Sequence, residues 1–237
     1  MYKGIYIAAS GAITRERELS VITKNIANAA THAYKKEKLS FSSFLLPSTV
    51  DASYSEKVMT EESGIITDFS QGGMTSTGDP FDLALEGNGF FALEGNRYTR
   101  KGSFGLDGEG YLISSEGYRV LGDDGNPLKI PSGRMDVNEE GFITVKGTNV
   151  GRINVVDFPK PYNLLKVGDG LYLSRDNAAP VRADARVVQG TLEGSNVNII
   201  QAMVEMMRAV REVEAYQKMM RAFDENAGKA INEIGRI

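Results

Sequence analysis

The sequence predicts an α+β protein in which helices at the two ends of the chain pack as a coiled-coil layer and an antiparallel β domain is inserted between them. Three observations carry this. From Ile199 the apolar residues recur at alternating steps of four and three, at Ile199, Met203, Met206, Val210 and Val213, and the stripe resumes at Met220, Ala227, Ile231 and Ile234. At the other end Ile5, Ala8, Ala12, Leu19, Ile22, Ile26 and Ala29 keep the same heptad register, interrupted by Arg15. The body between them alternates short apolar runs with Gly-rich turns. A heptad seam is buried only by a helix that has a partner. The two ends are therefore expected to find each other or copies of themselves.

Residues 1–39 hold the first helix, which spans about 2–29. Arg15, Glu16, Arg17 and Glu18 mark a charged, solvated or inter-subunit face. It ends where Asn28 and Thr31 compete with the helix for backbone hydrogen bonds. Lys35, Lys36 and Lys38 follow, and read as a solvated helix end favoured by the helix dipole. Residues 40–80 are dominated by Ser and Thr with Pro47 interrupting, and read as an extended connector with a role in interaction.

Residues 81–189 read as the β domain. Its apolar runs lie at 81–85, 90–93, 111–113, 119–121, 141–145 and 153–158. Between them stand Gly87-Asn88-Gly89, Asp107-Gly108, Asp123-Asp124-Gly125 and Glu140-Gly141, all turn chemistry suited to antiparallel hairpins. Residues 190–237 carry the second helix, with Ser195 or Asn196 as its expected N-cap. Glu214–Lys218 and Arg221–Glu225 are i,i+4 pairs on its outer side. Each helix presents a narrow seam, so association is expected to order the ends while the β body folds alone.

The composition excludes several functions. With 27 basic and 31 acidic side chains the net charge is −4, which leaves no nucleic-acid footprint. The absence of Cys removes disulfides, thiolate nucleophiles and Cys-ligated zinc, and fits a chain that crosses compartments unfolded. The single His excludes a site built on two imidazoles. No run approaches the roughly 18 apolar residues of a membrane span. Lys3 precedes a short apolar run, but Gly4, Ser10 and Gly11 interrupt it and the heptad continues through, so no cleaved signal is expected.

Catalytic patterns are missing. Gly87-Asn88-Gly89 lacks the third Gly and the following helix of a dinucleotide loop. Asp107-Gly108-Glu109 and Asp123-Asp124-Gly125-Asn126 lack the alternating ligands and closing Glu of a calcium loop. No catalytic residue, cofactor or metal is expected. The methionines at 203, 206, 207, 219 and 220 read as helix–helix packing. A contrasting reading is a cell-wall-acting β-domain protein with helical oligomerisation ends, which would need a concave pocket with converging carboxylates or aromatics in residues 81–189.

Three stretches resemble the flagellar basal-body rod and hook protein family. The first is Lys24-Asn25-Ile26-Ala27-Asn28, continuing to Thr31, Tyr34 and Lys35. The second runs from Asp82 to Gly87, Gly89, Phe90 and Phe91, then Tyr98-Thr99-Arg100 with Gly102 and Phe104. The third is Gly190 to Glu193, then Ser195-Asn196-Val197-Asn198, continuing to Met203, Met206, Arg211, Glu214 and Lys218. Both ends and the middle match in order. Ala33 departs from the family's usual Gly and resists positive φ, so a reshaped turn is expected there. Val213 and Tyr216 also depart from the pattern.

Within that family, the length and short connector resemble proximal rod members, with the longer distal rod members as the alternative. The resemblance implies a structural rod subunit of the basal body, crossing the periplasm as part of the drive shaft. Such subunits are exported unfolded by the flagellar export apparatus and polymerise with copies of themselves and with other proximal and distal rod subunits. It also implies that the terminal helices form an inner layer and the β domain an outer one.

Overall fold

The computed structural model describes residues 2–45, 58–175 and 179–234. Among them lie α1 (Tyr2–Ala27), β1 (Glu37–Leu45), β2 (Val58–Thr67), β3 (Met74–Ser76), β4 (Leu83–Glu86), β5 (Phe90–Leu93), β6 (Arg97–Thr99), β7 (Phe104–Leu106) and β8 (Leu112–Ser114). There follow β9 (Met135–Val137), β10 (Phe142–Val145), β11 (Thr148–Arg152), β12 (Val155–Asp157), β13 (Leu164–Gly168), β14 (Leu171–Ser174), β15 (Val181–Arg182), β16 (Arg186–Gln189), β17 (Thr191–Glu193) and α2 (Ile199–Ile234). This is an α+β protein with terminal helices and antiparallel sheets between them. The chain divides into two compact units.

The first unit holds residues 1–29, 36–68 and 197–237. Its helices run antiparallel within a single chain, although association was the expected source of their order. Small residues explain the close approach. A Cβ at Gly4 would come within 2.9 Å of the Phe223 ring, and one at Gly11 within 2.6 Å of the Tyr216 ring, so each glycine opens the space its ring fills. Further along, Arg15 Nε meets Glu212 Oε2 at 2.7 Å. Ile22, Ala202 and Ala209 then form a small core with Leu19, Ile26, Val197 and Met206 against it. Gly11→Val should push the Tyr216 ring aside and cost about 1–3 kcal/mol, read as a lower midpoint in urea.

β1 and β2 pair from Glu37↔Thr67 to Leu45↔Val58. The stretch expected as an extended connector therefore contains a long two-stranded ladder; its residues 46–57 lie outside the described residues. The start of β1 is fastened by Asn25, which is buried in α1. Its Nδ2 donates to the Glu37 carbonyl at 2.8 Å and its Oδ1 accepts the Glu37 N–H at 2.9 Å. One amide thus stands in for a neighbouring strand.

The N-cap of α2 is Asn198, not Ser195 or Asn196. Its Oδ1 accepts the Gln201 N–H at 3.1 Å, while its carbonyl accepts the first helical bond, from Ala202 N–H at 2.9 Å. Asn196 is occupied elsewhere, donating from Nδ2 to the carbonyl and hydroxyl of Ser70 at 3.1 and 3.0 Å. Asn198→Ala should cost about 1 kcal/mol by the loss of this cap, readable by thermal melting.

The second unit holds residues 30–35 and 69–196. Its largest sheet has the order β13-β14-β6-β5-β12-β15, and a three-stranded sheet has the order β11-β10-β9. β16–β4, β17–β3 and β7–β8 make two-stranded ladders. All four residues of β5 are buried because the strand has a core on each side. Phe91 and Leu93 join Leu83, Leu85, Leu112 and Ile143 in one cluster. Phe90 and Ala92 join Tyr98, Phe158 and Tyr172 in the other.

Asp107-Gly108 and Glu140-Gly141 do close hairpins, β7–β8 and β9–β10. Gly87-Asn88-Gly89 does not, because β4 pairs with β16 whereas β5 pairs with β6 and β12. This loop carries the chain from one sheet to another.

Candidate functional site

Two arrangements stand out, one in each unit. In the β unit three distant stretches meet at Glu193 on β17, whose side chain is fully buried. Glu193 Oε1 accepts from Lys35 Nζ at 2.7 Å and from the Gly72 N–H at 2.9 Å, and its Oε2 accepts from Arg100 Nε at 2.6 Å. Lys35 also donates to the Ser70 carbonyl at 2.7 Å. Arg100 also donates from Nη1 to Gly89 O at 2.6 Å, and from Nη2 to Leu85 O at 2.8 Å and Gly87 O at 2.6 Å, at the sheet-crossing loop and the strand before it. The guanidinium thereby serves the Gly87 and Gly89 carbonyls of the loop and the Leu85 carbonyl of β4.

Burial pushes the Glu193 carboxyl up, but the charges of Arg100 and Lys35, with the hydrogen bonds from Lys35 and Gly72, more than offset it. The group is held below the usual carboxylate range. This is a clasp: two buried cations and one carboxylate, with peptide carbonyls accepting from both cations.

The clasp corrects the reading of Lys35 as part of a solvated helix end, since it is 1% exposed. The expectation at Ala33 is also corrected. Ala33 takes the positive φ it was expected to resist: it is buried at φ 55 and donates its N–H to the Glu193 carbonyl at 2.8 Å. The ladder-like bond to β17 holds the methyl in the left-handed region at a cost of about 1 kcal/mol.

Other residues of the three stretches surround this centre or the cores. Tyr34 O accepts the Asn196 N–H at 3.3 Å. Phe90 and Tyr98 lie in one core, and Phe91 and Phe104 pack edge to face in the other, 5.1 Å between centroids. Thr99 donates to Gly170 O at 3.0 Å. Gly102 passes so close to the β4 backbone that a Cβ there would overlap the Leu83 carbonyl. Asn28 donates from Nδ2 to the Lys24 carbonyl at 2.8 Å, and Thr31 accepts the Tyr34 N–H at 3.3 Å.

The second arrangement is the pair α1–α2. On α1 Ala12 and Ile22 are buried and Ile5, Leu19 and Ile26 half-buried, all facing inward. On α2 the inward side runs Ala202, Met206, Ala209, Val213, Tyr216, Met220 and Phe223. Of the stripe expected there, Met206, Val213 and Met220 lie inward. Ile199, Met203 and Val210 lie outward, at 44, 46 and 39% exposure. With Ile200, Val204 and Met207 they make a contiguous apolar surface on the first half of α2, and Tyr6, Ile7 and Ile13 are exposed on α1. The side chains of Ile231 and Ile234 lie outside the described residues.

No group of three or more acidic or His side chains able to hold a metal occurs among the described residues. One cleft of the β unit, about 640 Å³, is lined by Arg97, Lys101, Glu116 and Asp169, and Lys101 donates to Glu116 at 2.8 Å. That carboxylate is engaged by its own cation.

Comparison with known proteins follows the same three stretches. Residues 5–35 match the family described as flagella basal body rod protein, residues 84–146 the flagellar hook protein FlgE/F/G D1 domain, and residues 188–233 the flagellar basal body rod FlgEFG protein C-terminal family. The chain is 35% identical over 245 residues to the flagellar basal-body rod protein FlgF of Caulobacter vibrioides, covering 100% of both chains. It is 32% identical to the flagellar hook-basal body complex protein FlhO of Bacillus subtilis, again over 100% of both. To the flagellar basal-body rod protein FlgG of Bacillus subtilis it is 29% identical, over 98% of this chain and 99% of that one.

Proposed function

Because the chain belongs to the flagellar basal-body rod protein family, whose members are structural and not enzymes, we propose that it is a proximal rod subunit, FlgF-like, that polymerises through its terminal helices. The observation that carries the mode of assembly is the exposed apolar surface of α2, from Ile199 to Val210. A helix pair that has already buried one side in its own subunit leaves this second side for a neighbour. In this reading the inward and outward rows of α2 together make a coiled-coil layer, the inward row closed by α1 and the outward row by adjacent subunits. Heterologous contacts of this kind propagate without closing, which is what a shaft requires.

The clasp contributes rigidity. It ties residues 33–35, which follow α1, to residues 193–196, which precede α2, so the two strands of chain leading to the helices are held side by side. Its partners in the assembly are other proximal and distal rod subunits and copies of itself. Its route is export through the flagellar apparatus without a cleaved signal, into the part of the rod that crosses the periplasm. Residues 1–39 and 190–237 then serve as the assembly domain, 40–80 as an interacting arm and 81–189 as the outer domain.

A clean deletion strain tests the function. It should be non-motile, with assembly stopping at the rod and no hook or filament beyond it. Normal hooks on the deletion strain would refute the assignment.

A further inference from the structure

The turn between β3 and β4 contains an Asp-Pro bond, Asp79–Pro80, in an exposed position. We propose that this bond is a self-cleaving site, with Asp79 as the catalytic residue. Several features of the turn converge on the one peptide.

Asp79 Oδ1 accepts the Phe81 N–H at 2.9 Å, which folds the carboxyl back over the Asp79–Pro80 peptide. The main-chain carbonyl of Asp79 accepts the Asp82 N–H at 3.1 Å, so a donor already points at the oxygen on which charge develops when that carbonyl is attacked. The turn is held from both sides. Upstream, the N–H groups of Thr77 and Gly78 donate to Gly190 O at 2.8 and 3.1 Å. Downstream, Gln189 Nε2 donates to Pro80 O and the Gly190 N–H to Asp82 O, at 2.8 and 2.7 Å. Nucleophile and carbonyl are thereby fixed in one conformation before any reaction.

Proline makes the outcome specific. It has no N–H, so the competing route at Asp, attack by the following backbone nitrogen on the side chain, is closed. A carboxyl oxygen of Asp79 bonds to the Asp79 main-chain carbonyl carbon, and the C–N bond to Pro80 breaks. The carboxyl proton passes to the departing nitrogen, which becomes a secondary amine. Asp79 is left as a cyclic anhydride, which one water opens to a free C-terminal aspartate. One peptide bond is hydrolysed and nothing is oxidised or reduced.

The cut does not release the pieces. β3 remains paired with β17 upstream of it, and β4 with β16 downstream. The product is a nicked protein whose segment 1–79, bearing α1, is attached by packing and ladders alone.

The test uses the purified full-length chain, incubated at about pH 5 and read by intact mass under denaturing conditions. Two fragments should accumulate, ending at Asp79 and beginning at Pro80, whose masses sum to the intact chain plus one water. The same sample should elute as one species under native conditions. Asp79→Ala and Asp79→Glu should stay intact, the first lacking the acid and the second needing a larger ring. Cleavage in urea at the same pH should be slower by about tenfold or more, because unfolding dissolves the turn. An intact wild-type chain, equal rates in urea, or cutting of Asp79→Ala would each overturn the proposal.

Discussion

Replacing Glu193 by Gln is expected to destabilise the β unit by about 3–5 kcal/mol, the range for removing one member of a buried ion pair. The carboxylate is shared by Lys35 Nζ and Arg100 Nε, and all three side chains are at most 4% exposed. Gln fills nearly the same space, so the loss is electrostatic. It leaves two cations facing a neutral amide that can accept at only one of the two oxygens' places. Equilibrium urea unfolding measures it, as a lower midpoint at unchanged slope.

Lys35→Met gives the complementary reading. Alone it should destabilise, but added to Glu193→Gln it should cost less than it does alone, since the ion pair it would break is already gone. Strict additivity of the two would mean that the clasp is not a coupled unit.

The same residue sets an expected pH dependence. The Glu193 carboxyl is held low in the folded protein by Arg100 and Lys35 against the opposing effect of burial. Its contribution is therefore fully present above the unfolded carboxyl's value of about 4.3, and is lost as pH falls through the lower folded value. Wild-type stability should fall on that acid side, and Glu193→Gln should show a flatter acid limb.

The second large effect concerns assembly. Val210→Asp should abolish motility while leaving the stability of the isolated subunit within about 0.5 kcal/mol, because Val210 is 39% exposed on the outward row of α2. Once a neighbour covers that row, an unpaired carboxylate is buried in every copy, and each such group costs several kcal/mol. Ala209→Asp should behave in the opposite way. Ala209 is 4% exposed against α1, so a carboxylate there breaks the helix pair before assembly is reached. Thermal melting of both variants, beside motility of complemented strains, separates the two rows. Wild-type motility with Val210→Asp would remove α2's outward row from the assembly surface.

Much of this protein was determined by local sequence. Apolar residues at steps of three and four require helices at the ends, since only a helix gathers that spacing on one side. Asp-Gly and Glu-Gly mark tight turns, and the hairpins β7–β8 and β9–β10 close at them, although β7 and β9 fall outside the apolar runs read from the sequence. The three family stretches likewise needed no structure to be read.

Tertiary structure decided which side of each element faces what. The spacing on α2 is compatible with two adjacent rows, one through Met203 and Val210 and one through Ala202 and Ala209. The choice between them depends on the partner surface: alanines, with Gly4 and Gly11 opposite Phe223 and Tyr216, let the backbones approach more closely than methionines would. The cap moved to Asn198 because tertiary hydrogen bonds to Ser70 claimed the Asn196 side chain. Gly87-Asn88-Gly89 looks like any hairpin turn until Arg100 is seen to hold its carbonyls. The clasp was the least legible of all. Lys35 and Glu193 stand 158 residues apart, and a lysine beside two other lysines reads as solvated until the fold removes it from water and brings a carboxylate to its ammonium.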